Sequence, residues 1–74
     1  MHAFGKVMRR LIEEHDTNQA SICQSTGLKK GNMSVLCAGG TQYPSIHTCK
    51  LIADYFNLTL DELWALVAAE EEQQ

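Results

Sequence analysis

The stretch from Asn18 to Gly39, NQASICQSTGLKKGNMSVLCAG, constrains this chain more than any other, because it sets two helix signals around one glycine. Asn18 is a strong N-cap, and Gly27 is the residue type that ends a helix in the left-handed conformation. Ile22 and Cys23 give the first helix its inward face. A second helix is expected from about Lys29, with Met33, Leu36 and Cys37 at i, i+3 and i+4. That stripe leaves Gly31, Ser34, Val35 and Ala38 on the opposite side. Two short helices joined by a glycine turn make a helix-turn-helix, so the functional question is what the outer face of the second one meets.

The rest of the chain reads as helices around this unit. Phe4, Val7, Met8, Leu11 and Ile12 keep helical spacing and predict helix 1 over about Phe4 to His15, after three frayed residues. Lys6, Arg9, Arg10, Glu13 and Glu14 fall off that stripe as a solvated face, with Arg9–Glu13 and Arg10–Glu14 at pairing distance along the helix. Gln19, at the first helical position after Asn18, is either an exposed helix former or a bridge to a phosphate or base edge, since a carboxamide both donates and accepts. AGGTQYPS holds two glycines and the only proline and reads as a loop; amide N–H groups near Gly39, Gly40 and Thr41 are candidates to hold a phosphate. Ser45 caps helix 4, whose inward row is Ile46, Cys49, Ile52, Ala53 and Phe56, with Asn57 as the break. Thr59 to Glu62 then spell a capping box, and Leu58 with Leu63 are spaced as a hydrophobic staple. Helix 5 runs to about Ala69, and residues 70–74, EEEQQ, are expected as a disordered acidic tail after a single domain over 1–69.

Composition narrows the function classes. Seventy-four residues, 45% of them apolar, bury one modest core. No apolar run is long enough to span a bilayer and MHAFGKVMRR lacks the apolar core of a signal peptide, so a cytoplasmic protein with no membrane partner is expected. Cys23, Cys37 and Cys49 are odd in number, lack CxxC spacing and fall on inward stripes; they read as reduced core residues, with no metal and no cofactor called for. No nucleophile, base and orienting group share a motif, so the chain is not read as an enzyme. The net charge is −3, which Glu70, Glu71 and Glu72 supply, because over residues 1–69 six cations meet six carboxylates. A neutral body is weakly suited to non-specific DNA binding, whose strength follows the phosphates neutralised.

The order of these motifs resembles the Cro/C1-type, lambda-repressor-like helix-turn-helix family over about Phe4 to Leu66. The resemblance rests on Gln19 opening helix 2, Gly27-Leu28 in the turn, Met33-Ser34-Val35-Leu36, Gly39, Pro44-Ser45, Ala53, and Leu58-Thr59-Leu60-Asp61-Glu62-Leu63. It implies an all-α, compact five-helix domain with helices 2 and 3 as the helix-turn-helix, and a bacterial or phage-encoded protein. The family reads operators as a homodimer with helix 3 in the major groove. Carried onto this chain, that puts Gln19, Lys30, Gly31, Asn32, Ser34 and Val35 at the groove, with Lys29, Gly40 and Thr41 near phosphates. Lys30 would donate to guanine, Asn32 pair with adenine, and Val35 touch a thymine methyl.

Four departures qualify the likeness. Where many members join helices 1 and 3 through Arg and Glu, this chain has Ile12 and Cys37; both partners changed together, so no buried charge is orphaned. Cys23 stands where alanine is usual. Gly31 costs on the order of 1 kcal/mol relative to alanine within a helix, and the loop from Gly39 to Pro44 looks one residue longer than the common form. The leading expectation is a sequence-specific dimeric transcriptional regulator of repressor, Cro or antitoxin type bound to a double-stranded DNA operator. The alternative is a protein-interaction module on the same fold, suited to the neutral body and the acidic tail. Leu51, Tyr55, Trp64 and Leu66 are surplus apolar groups on helices 4 and 5 that would form the dimer patch.

Overall fold

Four residues of the chain hold a positive φ: Asp16 (50°), Gly27 (79°), Gly39 (80°) and Asn57 (59°). Each ends one helix and starts a junction. The computed structural model describes residues 1–73, with α1 (Ala3–Glu14), α2 (Gln19–Thr26), α3 (Lys30–Cys37), α4 (Ile46–Tyr55) and α5 (Leu60–Glu72), and no strand among the described residues. A helix leaves its last carbonyls without partners. After α1, the Asp16 and Thr17 N–H groups donate to Glu13 O (3.2 Å) and Ile12 O (3.0 Å). After α4, Asn57 and Leu58 donate to Asp54 O (3.1 Å) and Ala53 O (2.8 Å). This pair of bonds is the Schellman closure, which needs one left-handed residue; asparagine and aspartate tolerate that conformation and glycine adopts it freely. α2 closes with the single bond from Gly27 N–H to Cys23 O, 2.8 Å.

The helix starts are equally explicit. Asn18 Oδ1 accepts from Ser21 N–H at 2.8 Å, and Ser45 Oγ accepts from Thr48 N–H at 3.3 Å. The Thr59–Glu62 capping box closes in both directions, at 3.0 and 2.9 Å. Lys29 precedes α3 without a side-chain cap.

Between these ends the apolar stripes meet in one core. α1 packs on α3 and α5, α2 on α3 and α4, and α4 on α5. Phe4, Met8, Ile22, Met33, Ile52 and Leu63 are fully enclosed. Among the described residues no polar or charged side chain is buried, in keeping with an interior assembled from stripes alone.

Three expectations from the sequence are corrected at the ends of elements. The first residues are held down: His2 N–H donates to Gly39 O at 3.0 Å, and α1 starts at a buried Ala3. The cause is a close crossing of Gly5 over Gly39, where a Cβ on Gly5 would lie 2.5 Å from Gly39 Cα. Ile46 is 75% exposed rather than inward. It occupies the first position of α4, a full turn before Cys49, where the helix projects past its neighbours and periodicity alone overextends the stripe. Finally, α5 continues through Glu72, where the sequence ended it at Ala69. Ala68, Ala69 and the glutamates are good helix formers with no stop signal among them, and Glu70 lies 4.0 Å from Lys6 of α1.

Candidate nucleic-acid interface

α3 stands as a ridge between two clefts. Its inward residues Met33, Leu36 and Cys37 are buried, while Lys30, Gly31, Asn32, Ser34, Val35 and Ala38 are exposed, as the spacing predicted. On one side an open concavity of ≈ 310 Å³ is lined by Gln19, Ala20 and Cys23 of α2 with Lys30 and Ser34 of α3. On the other, one of ≈ 220 Å³ is lined by Asn32, Val35 and Leu36 with Thr41, Pro44, Ser45 and Thr48. Gln19 is thereby brought to Lys30 and Ser34, and Asn32 and Val35 are brought to Thr41 and the start of α4. Lys29, exposed, sits at the head of the ridge.

One part of the expected site is overturned. The Gly39 and Gly40 N–H groups are consumed inside the chain, donating to Leu36 O (3.1 Å) and Val35 O (2.9 Å). They close α3 in the Schellman manner, because the helix's own orphan carbonyls claim them before any phosphate can. Gly40 therefore offers no amide to a ligand, and Thr41 contributes as a half-buried wall of the second cleft. Periodicity did not reveal Thr48 and Pro44 as cleft residues. The Pro44-Ser45 start signal was the clue, since it fixes where α4 begins beside α3.

Electrostatics concentrate on the same face. Lys6 faces Glu70 (4.0 Å), Arg10 pairs with Glu14 (3.3 Å) and Lys50 with Asp54 (2.9 Å). The Arg9–Glu13 pair expected from spacing is absent. Arg9 Nε instead donates to Cys37 O at 2.9 Å, a carbonyl at the negative end of α3. That bond ties α1 to α3 in a chain whose Ile12 and Cys37 cannot form an ion pair. Among the described residues Lys29 and Lys30 have neither a carboxylate partner nor a hydrogen bond like that of Arg9, and both stand at the ridge. A body of zero net charge thus still presents an unneutralised basic point.

The cysteines belong to the core. All three are free and buried, Cys37 Sγ lying 3.8 Å from Met33 Sδ. Burial pushes the Cys37 thiol up from its ordinary value, against the smaller opposing pull of the Arg9 charge, and burial pushes up Cys49 too. The unfolded chain therefore releases these protons first as pH climbs. Their contribution to stability is expected to be intact below the ordinary value of 9.0 and to fade above it. Denaturant midpoints measured at pH 7 and pH 10 check this, the second being the lower. Among the described residues no cluster of three potential metal ligands exists.

The candidate dimer residues occupy three different seams. Leu51 and Tyr55 line a groove with Ser25 and Thr26, and the Tyr55 hydroxyl is hydrogen-bonded to Thr17 Oγ1. Trp64 packs between Phe4 and Tyr43, with ring centroids at 5.9 and 6.3 Å. Leu66 lies against Val7 and Leu11.

A family model described as the Cro/C1-type HTH DNA-binding domain matches residues 7–69. The chain belongs to that family. The match spans all of α2, α3 and α4, so the ridge and both clefts of this Cro/C1-type domain lie within it. DNA is accordingly its partner class, and the clefts are the flanks of a helix-turn-helix. No curated protein and no solved structure matches the chain significantly. No helix among the described residues is long and apolar enough to cross a membrane.

Proposed function

We propose that this Cro/C1-type domain is a sequence-specific, dimeric transcriptional regulator of phage repressor, Cro or antitoxin type, which acts in the cytoplasm by occupying a palindromic operator. The observation that carries the reading is the α3 ridge, its polar residues exposed and its head marked by Lys29 and Lys30, the two lysines without carboxylate partners among the described residues. α3 enters the major groove, where Lys30 donates to a guanine, Asn32 pairs with an adenine and Val35, 49% exposed, meets a thymine methyl. Gln19 and Lys29 hold the phosphates on either side. The half-buried groups Leu51, Tyr55, Trp64 and Leu66 supply apolar surface to a second copy.

Selection of bound duplexes from a random DNA pool tests this. A two-fold symmetric motif is expected, and recovery of unrelated sequences would contradict it. A second reading, a protein-interaction module on the same fold, draws on the exposed Tyr43 (62%) and Ile46 (75%). It predicts a protein partner whose binding survives alanine at Gln19, Lys30 and Asn32.

The glutamates of α5 bear on the same question. Glu70 faces Lys6, and the run 70–72 adds like charge to any approaching phosphate. Ending the chain at Ala69 is expected to tighten binding to random duplex about three- to tenfold at low salt, the gain shrinking as salt rises. Titrations at two ionic strengths would read it; an unchanged low-salt affinity would remove the tail from the account.

A further inference from the structure

The chain has five glycines, and the fold itself accounts for three of them by backbone conformation or backbone contact, and bears on a fourth. Gly27 and Gly39 are left-handed. A Cβ on Gly5 would strike the backbone of Gly39, and one on Gly40 would come within 3.0 Å of Val35 Cγ1. Gly31 has neither reason. It is the second residue of α3, in its first turn, with no positive φ, it is exposed, and a Cβ built on it meets nothing within 4 Å. Alanine would suit a helix better at such a position, since glycine adds backbone freedom that folding must remove.

What the fold does not require, a partner surface can. We infer that Gly31 is a point of van der Waals contact with double-stranded DNA, and that its missing side chain sets how deeply α3 seats. This rests on the DNA-binding reading above. Position carries it further: Lys30 borders the cleft on the α2 side and Asn32 the cleft on the α4 side, so Gly31 occupies the crest between them. Ser34, Val35 and Ala38 continue that crest at i+3, i+4 and i+7. Lys29 and Lys30, without carboxylate partners among the described residues, adjoin it. The major groove is about 12 Å wide, so a helix reaches base edges only as far as its highest crest atoms permit. A methyl group on Gly31 would hold the first turn off the duplex and draw Lys30 and Asn32 away from their partners together.

The test is Gly31→Ala beside the wild-type chain, each titrated with the selected operator and with random duplex, and each melted alone. The variant is expected to melt about 2–5 °C higher and to bind the selected operator at least about tenfold more weakly. A loss confined to the selected operator places the contact at base edges. An equal loss on both duplexes places it at the phosphodiester backbone, and the inference stands in either case. Wild-type or tighter operator binding by the variant overturns it, and so does a lower melting temperature, which would mean the fold needs this glycine after all. If the wild-type chain itself binds no duplex selectively, the DNA-binding reading fails and this inference falls with it; that outcome is told apart because the wild-type titration is flat.

Discussion

Replacing Lys29 and Lys30 together by alanine is expected to flatten the salt dependence of DNA binding by about 0.9 in log–log slope per bound subunit. Each phosphate neutralised contributes about 0.9 to that slope through counterion release, so losing the Lys29 contact weakens binding about eightfold at 0.1 M salt, and losing the Lys30 contact to guanine costs about 1–3 kcal/mol more. The fold should be indifferent. Both side chains are exposed, neither has an acidic partner among the described residues, and the Lys29 side chain does not cap α3. Lys50→Ala is the matched control, because Lys50 already spends its charge on Asp54 at 2.9 Å. Filter-binding or anisotropy titrations from 0.05 to 0.3 M salt separate the two variants. If they lose affinity equally, net charge rather than the ridge governs binding.

The second large effect is on folding. Gly5→Ala is expected to destabilise the domain by about 2 kcal/mol and lower its melting temperature by about 8–16 °C, even though alanine is the better helix former. The added Cβ would lie 2.5 Å from Gly39 Cα, 2.7 Å from Gly39 N and 2.9 Å from Leu36 O. All three are backbone atoms fixed by the closure of α3, so no flexible side chain can swing aside. The same substitution at Gly31 is expected to shift the melt the other way. Thermal melts of the two variants by circular dichroism read both signs at once. A Gly5→Ala domain as stable as wild type would show that the α1–α3 crossing can open at little cost.

That pair also marks what the sequence could convey. All five helices were legible, since apolar spacing, the Asn18, Ser45 and Thr59 caps, and the Gly27 and Asn57 breaks are local signals that local chemistry obeys. So was the outer face of α3, because one inward stripe fixes its opposite. Contacts between distant segments were not. Gly5 carries no mark that it crosses Gly39, and Arg9 matched Glu13 by spacing while its guanidinium reaches a carbonyl 28 positions away. Gly39 and Gly40 looked like a phosphate cradle until the carbonyls of Val35 and Leu36 were seen to take their N–H groups. Within the candidate site, spacing sufficed to tell which side chains of α3 are exposed, whereas backbone availability depended on how α3 ended.

The most direct measurement is the equilibrium constant for the duplex recovered by selection, against a scrambled duplex of equal length, followed over salt concentration. A dimer holding Lys29 of each subunit on a phosphate should give a log–log slope of about −1.8 or steeper, with the selected site favoured at least about a thousandfold. A flat slope with equal affinity for both duplexes would contradict the account, and the α3 ridge would then have to serve some other partner.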